Sequence, residues 1–167
     1  MRILLVRHGP AVDPYATSTD EARWLTEAGR RRVRKVAKAL AELGLEPSIV
    51  FTSPFVRAVQ TAEALASGQP RFEGPIEVVR ALAPEQGSTA QALAPLERVP
   101  NDALVFLVGH EPKIRALAAH LSEVPGFPGF QPGAACLVEH DGEHGRFEWM
   151  MDPETTDLVR AVEAIAR

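Results

Sequence analysis

The chain has 167 residues, 46% hydrophobic and 24% charged, a balance that fits one globular domain over residues 1–167 with a sizeable core. Its formal net charge of −4 gives no bulk attraction to nucleic acid or an anionic membrane, and its single cysteine, Cys136, excludes an intrachain disulfide. No apolar run is long enough for a signal peptide or a membrane span, so the expected location is the cytoplasm.

Ile3–Val6 is fully apolar and reads as a short buried strand. Residues 10–22 are polar, contain two prolines and read as a loop. A helix is expected from Thr26 to Leu43, with Val33, Val36, Ala37, Leu40 and Leu43 on one face and Gly44 as its stop. Ser48–Thr52 is a second strand. Ser53-Pro54 then reads as a cap and first-turn proline, opening a helix to Ala66. Ile76–Arg80 is a third, shorter strand, and Thr89–Leu96 a helix weakened by Pro95. Ala103–Val108 gives the strongest strand signal, broken by Gly109 and followed by a helix over Pro112–Leu121. Ala134–His140 and Arg146–Met151 flank "DGEHG" as an antiparallel hairpin, and Asp152-Pro153 is expected to cap a final helix ending at Ala166. Strands alternating with helices predict an α/β three-layer sandwich: a mostly parallel central sheet with an antiparallel edge.

Three of these strands end on polar residues. The first delivers Arg7 and His8, the second Ser53 and then Arg57, the fourth His110. Ligands of open α/β sheets bind outside the carboxyl ends of the strands, so these side chains are expected to share one crevice. Guanidinium forks match phosphate oxygens bidentately, and two of them can hold a dianion from two sides. A neutral histidine beside such a clamp can attack phosphorus, provided its other ring nitrogen is held by an acceptor. Gly9 lets the backbone fold closely enough for its own carbonyl to be that acceptor. No Walker loop and no metal-ligand spacing occurs, so neither a nucleoside triphosphate nor a metal is expected.

The segments "RHG", "TSPFVRAVQTA" and "VGHEP", in this order after their strands, resemble the histidine phosphatase superfamily, the phosphoglycerate mutase-like fold. The resemblance implies that Arg7, His8, Arg57 and His110 form a phosphate pocket, that His8 is the phosphorylated residue, and that no cofactor is needed. "RWLTEAG" at 23–29 and "FEWMMDP" at 147–153 are similar to the small phosphohistidine phosphatases of the SixA type. Other branches usually carry a glutamate after the third strand. Here Pro84 stands at that place and Glu85 one step on. Glu85 is therefore a candidate acid/base, and its displacement fits a substrate whose leaving group is imidazole rather than alkoxide. The implied substrate is a phosphorylated protein bearing phosphohistidine. A small-metabolite phosphate ester, and a non-catalytic phosphate- or phosphoprotein-binding module, are the alternatives.

Several residues carry a plainer reading. Arg23 is a candidate substrate contact or a surface residue, and Ser53 a helix cap. The run "GRRRVRK" at 29–35 is expected to be a solvated helix face paired with acids such as Glu27 and Glu42, not a nucleic-acid patch. His120, His140 and His144 read as surface or turn residues, Cys136 as a buried strand residue and Trp149 as packing.

Overall fold

The computed structural model describes residues 1–165. Strands β1 (Arg2–Arg7), β2 (Ile49–Thr52), β3 (Ile76–Val78), β4 (Leu104–Gly109), β5 (Ala135–His140), β6 (Gly145–Met151) and β7 (Leu158–Val159) form one sheet in the order β3-β2-β4-β1-β5-β6-β7. Pairings among β3, β2, β4 and β1 are parallel, and those of β5, β6 and β7 are antiparallel. The helices are α1 (Glu27–Glu42), α2 (Val56–Ser67), α3 (Thr89–Leu93), α4 (Lys113–Leu121) and α5 (Val162–Ile165).

The layering follows from the two-residue period of the strands. Leu4, Val6, Phe106 and Val108 pack on one face against Val33, Val36 and Leu40 of α1 and Ala58, Ala62 and Leu65 of α2. Ile3, Leu5, Val105 and Leu107 pack on the other against Ile114, Leu117 and Leu121 of α4 and Ala92 of α3. Being covered on both sides, β1, β2 and β4 read as apolar runs, whereas β3 at the edge carries Glu77 and is largely exposed. The three-layer α/β sandwich is as expected. No helix among the described residues is long and apolar enough to cross a membrane.

Thr26 caps α1, its hydroxyl accepting from Gly29 N at 2.9 Å, and Gly44 leaves the helix at a φ of +69°. The "GRRRVRK" run lies on α1 as a paired face: Arg31 meets Glu27, Arg32 meets Glu154, and Arg30 donates to the Leu25 carbonyl.

Leu43, expected on the apolar face of α1, is instead its exposed C-cap, β3 stops at Val78 with Arg80 opening a 3-10 turn, and four further elements differ from expectation. Helix α2 begins at Val56 with Phe55 in the cap position, so Ser53 does not cap it. Gly109 completes β4 instead of breaking it. Pro95 ends α3 early, and the chain continues as a 3-10 turn over Ala94–Arg98. Asp152 opens a turn rather than a helix: its carboxylate accepts from Glu154 N at 2.7 Å and Thr155 N at 2.8 Å. The chain then returns as β7 before α5. The expected helix end at Ala166 lies outside the described residues.

Candidate active site

Strand register brings the polar ends level. Arg7 pairs with Gly109 across β1 and β4, and Thr52 with Val108 across β2 and β4. His8, Ser53 and His110 each stand one residue further on. The backbone N–H of His8 donates to Gly109 O at 3.0 Å, and that of Ser53 to Val108 O at 3.0 Å. Arg57 projects from the first turn of α2 and is only 4% exposed. The rings of His8 and His110 lie 4.8 Å apart, centroid to centroid. One end of the sheet thus brings Arg7, His8, Arg57 and His110 together.

His8 is held at both nitrogens. Nδ1 lies 2.7 Å from the Gly9 carbonyl, which can only accept, so Nδ1 carries the proton. Nε2 is left with a lone pair, toward which Arg57 Nε donates at 3.2 Å. Burial pushes His8 down to about 4, the Gly9 bond opposes this, and the charges of Arg57, Arg7 and Arg23 add to it. The ring is therefore neutral near pH 7. Gly9 is required here by space: a Cβ would stand 2.6 Å from Val33 Cγ2. Its own N–H donates to Thr61 Oγ1 at 3.1 Å, and Thr61 in turn donates to the Arg57 carbonyl at 2.7 Å.

His110 is 2% exposed, and its Nε2 lies 2.8 Å from Ser53 Oγ. Burial, followed by His8, Arg57 and Arg7, pushes it down to about 3, against the opposing charge of Asp20. Arg7 donates through Nη1 to the Phe130 carbonyl at 2.5 Å, and Phe130 N donates to Glu111 Oε1 at 2.7 Å. Two nitrogens of this group, Arg7 Nε and His110 Nδ1, are buried without any hydrogen-bond partner. Orphaned buried polar atoms are uncommon and call for an explanation. A bound oxyanion supplies one.

Asp20, which the sequence reading missed, completes the rim. Its carboxylate meets Arg57 Nη2 at 2.8 Å and Arg23 Nη1 at 2.8 Å, and its carbonyl accepts from Arg57 Nη1 at 2.6 Å. Burial pulls its carboxyl upward, but the hydrogen bonds from Arg23 and Arg57 outweigh that and hold it below the ordinary carboxylate range. Arg23 is fixed a second time, by Nε donating to the Val12 carbonyl at 2.8 Å, so it braces the loop and lies within electrostatic reach of His8. Thr61, also missed, sits four residues after Arg57 and hence on the same helix face, a spacing that "RAVQT" displays. Asp20 gave no such signal.

Glu85 is exposed, with a φ of +57°, and makes no hydrogen bond or ion pair among the described residues. It lines an open cleft of about 750 Å³ with Gly87, Ser88, Lys113, Arg115 and Phe127. Cys136 is buried, and burial raises its thiol well above the usual range. Trp149 is core, His144 pairs with Glu123 on the surface, and His120 is exposed.

A family model for the histidine phosphatase superfamily (branch 1) matches residues 3–83. The phosphohistidine phosphatase SixA of Escherichia coli strain K12 is 30% identical over 165 residues, covering 97% of this chain and all of that protein. An uncharacterised protein of a Picosynechococcus strain is 38% identical over 153 residues, 84% of this chain and 90% of its own length. Among solved structures, the protein histidine phosphatase SixA complexed with tungstate superposes with a TM-score of 0.84 at 30% identity, over 94% of this chain and all of that one. With a relative matched from end to end, and the RHG histidine placed against two guanidinium groups and a second imidazole, the chain belongs to the histidine phosphatase superfamily.

Proposed function

We propose that this chain hydrolyses phosphohistidine in proteins through a covalent phospho-His8 intermediate, with Arg7, Arg57 and His110 holding the phosphoryl oxygens. One observation carries the proposal. The unprotonated Nε2 of a neutral His8 faces the Arg57 guanidinium and stands beside a second imidazole, and two buried nitrogens of the group, Arg7 Nε and His110 Nδ1, have no protein partner. The full-length similarity to a phosphohistidine phosphatase, and to a relative solved with the tetrahedral oxyanion tungstate, supports the same reading.

In the first step His8 Nε2 forms a bond to phosphorus as the phosphorus–nitrogen bond to the substrate ring breaks; that ring, protonated on its other nitrogen, leaves as neutral imidazole. In the second, water displaces His8 and inorganic phosphate leaves. Both transition states spread charge over three equatorial oxygens, which Arg7, Arg57 and the His110 edge meet with fixed donors. These residues supply the positive charge themselves, so no metal or organic cofactor is called for. Gly9 contributes through its carbonyl, which keeps the His8 proton on Nδ1. Asp20 now occupies two nitrogens of Arg57, so an arriving phosphoryl group exchanges one anion for another there.

The leaving group decides the substrate class. A general acid is worth about 10²–10⁴-fold, and an alkoxide needs it far more than an imidazole does. Glu85, bonded to none of the four pocket residues, gives no evident help to an alkoxide. A phosphohistidine-bearing protein domain, tested beside sugar phosphates and other alkyl esters with His8→Ala as control, should be turned over about 100-fold faster in kcat/KM. A reversed ranking would make this a small-ester phosphatase. Tight phosphate binding with no turnover of any substrate would make it a binding module.

A further inference from the structure

A neutral imidazole has one N–H and one lone pair, and its partners decide which nitrogen holds which. For His8 the Gly9 carbonyl places the proton on Nδ1. For His110 the partner is a hydroxyl, which can donate or accept. Ser53 is fully buried, and its Oγ already accepts the N–H of Phe55 at 3.3 Å. Among the described residues, the one acceptor bonded to that hydroxyl is His110 Nε2, at 2.8 Å.

The two tautomers of His110 therefore differ sharply. With the proton on Nε2, the Ser53 hydroxyl hydrogen is buried without an acceptor, and Nδ1 becomes a bare lone pair. With the proton on Nδ1, Ser53 donates to Nε2 and every hydrogen of the pair but one is placed. The remaining one is the Nδ1–H, the buried and unpartnered nitrogen beside His8. Leaving buried polar groups unsatisfied is costly: the first arrangement leaves two, the hydroxyl hydrogen and the Nδ1 lone pair, and the second leaves one. Free histidine in water favours the Nε2–H form, so the protein works against an intrinsic preference.

We propose that Ser53 is a positioning residue that selects the Nδ1–H tautomer of His110, so that this ring offers a proton, and not a lone pair, to the oxyanion pocket. Both histidines then carry the same tautomer and present opposite ends: His8 its lone pair, His110 its N–H. The depressed pKa of His110, about 3, agrees with a neutral ring at working pH. The register of β2 and β4 makes the contact rigid, since Thr52 pairs with Val108, one residue before Ser53 and two before His110. The pair is not a Ser–His catalytic dyad. In such a dyad a third group holds Nδ1 and the hydroxyl faces substrate. Here Nδ1 is unpartnered and Ser53 is 0% exposed.

The use of that proton rests on the phosphatase reading above, but the tautomer does not. The test is the histidine-labelled ¹⁵N spectrum of the protein without ligand. His110 should show a protonated-type Nδ1 and a pyridine-type Nε2; the reverse pattern would overturn the proposal whatever the activity. Ser53→Ala should move the pattern toward Nε2–H and weaken tungstate inhibition roughly 10- to 100-fold, the range for a hydrogen bond to a charged group. Ser53→Thr, which keeps the hydroxyl, should restore both. An unchanged His110 tautomer in a folded Ser53→Ala protein would refute the role assigned to Ser53. A protein with the expected tautomer but no tungstate binding would support the proposal and defeat the phosphatase reading instead.

Discussion

Asp20→Asn gives a test whose sign depends on which of two effects is larger. The carboxylate of Asp20 is the one acidic side chain bonded directly to the Arg7, His8, Arg57 and His110 group among the described residues. Removing its charge loosens one contact to Arg57. That guanidinium still has the Asp20 carbonyl at 2.6 Å, His8 Nε2 at 3.2 Å and the Phe55 ring at 5.0 Å. The positioning loss is therefore small, and a half-exposed ion pair is worth only ~0–1 kcal/mol to stability. Against it stands the repulsion between Asp20 and an incoming phosphoryl dianion. At ~5 Å, each unit of charge costs about 0.8 kcal/mol in water and about 3 kcal/mol at an effective dielectric constant of 20. Exposure of Asp20 favours the lower end, about 1.7 kcal/mol for the two charges of the dianion, which less the small positioning loss leaves a relief of about 1 kcal/mol, roughly fivefold in affinity. Titration calorimetry with tungstate at fixed salt should show the variant binding about fivefold more tightly, with an enhancement that shrinks as salt rises. Binding weakened by a similar factor would refute this reasoning and make Asp20 a support that Arg57 cannot do without.

Three further outcomes are expected. Glu85→Gln should change phosphohistidine turnover by less than about threefold, because an imidazole leaving group has little need of a general acid; a hundredfold loss would place Glu85 in the pocket. Gly9→Ala should destabilise the fold by about 1–3 kcal/mol, since its Cβ meets Val33 Cγ2 at 2.6 Å, and a thermal melt matching the parent would contradict the packing. The pH dependence follows from His8 and His110, lowered by burial from 6.5 to about 4 and about 3. Below pH 6.5 the unfolded chain binds protons that these buried rings do not, so their contribution falls as pH drops from 6.5 and is lost once pH passes through the folded values. NMR titration of both rings should show them neutral at pH 6, and a midpoint near 6.5 for either would contradict the buried geometry.

The parts legible in the sequence are those written in local patterns. The apolar runs of β1, β2 and β4 announce strands covered on both faces, and the spacing of Val33, Val36, Ala37 and Leu40 announces the buried side of α1. Arg7, His8, Arg57 and His110 were legible because each follows a strand end or lies one turn beyond it. What stayed hidden depends on distant partners. Ser53 before Pro54 has the local look of a cap, whereas its hydroxyl is drawn to His110, 57 residues away. Asp20 lies in a loop without periodicity, and its partner Arg57 is 37 residues on. Asp152-Pro153 fits a helix start as well as a turn, and β7 has only two residues, too few to show alternation.

The central claim is that His8 accepts the phosphoryl group. Rapid acid-free quenching of the protein during turnover of a ³²P-labelled phosphohistidine domain, followed by peptide mapping, tests it most directly. The account predicts a base-stable, acid-labile label on the peptide containing His8, absent from His8→Ala. Turnover that proceeds with no label on that peptide, or with a label on any other residue, would contradict it.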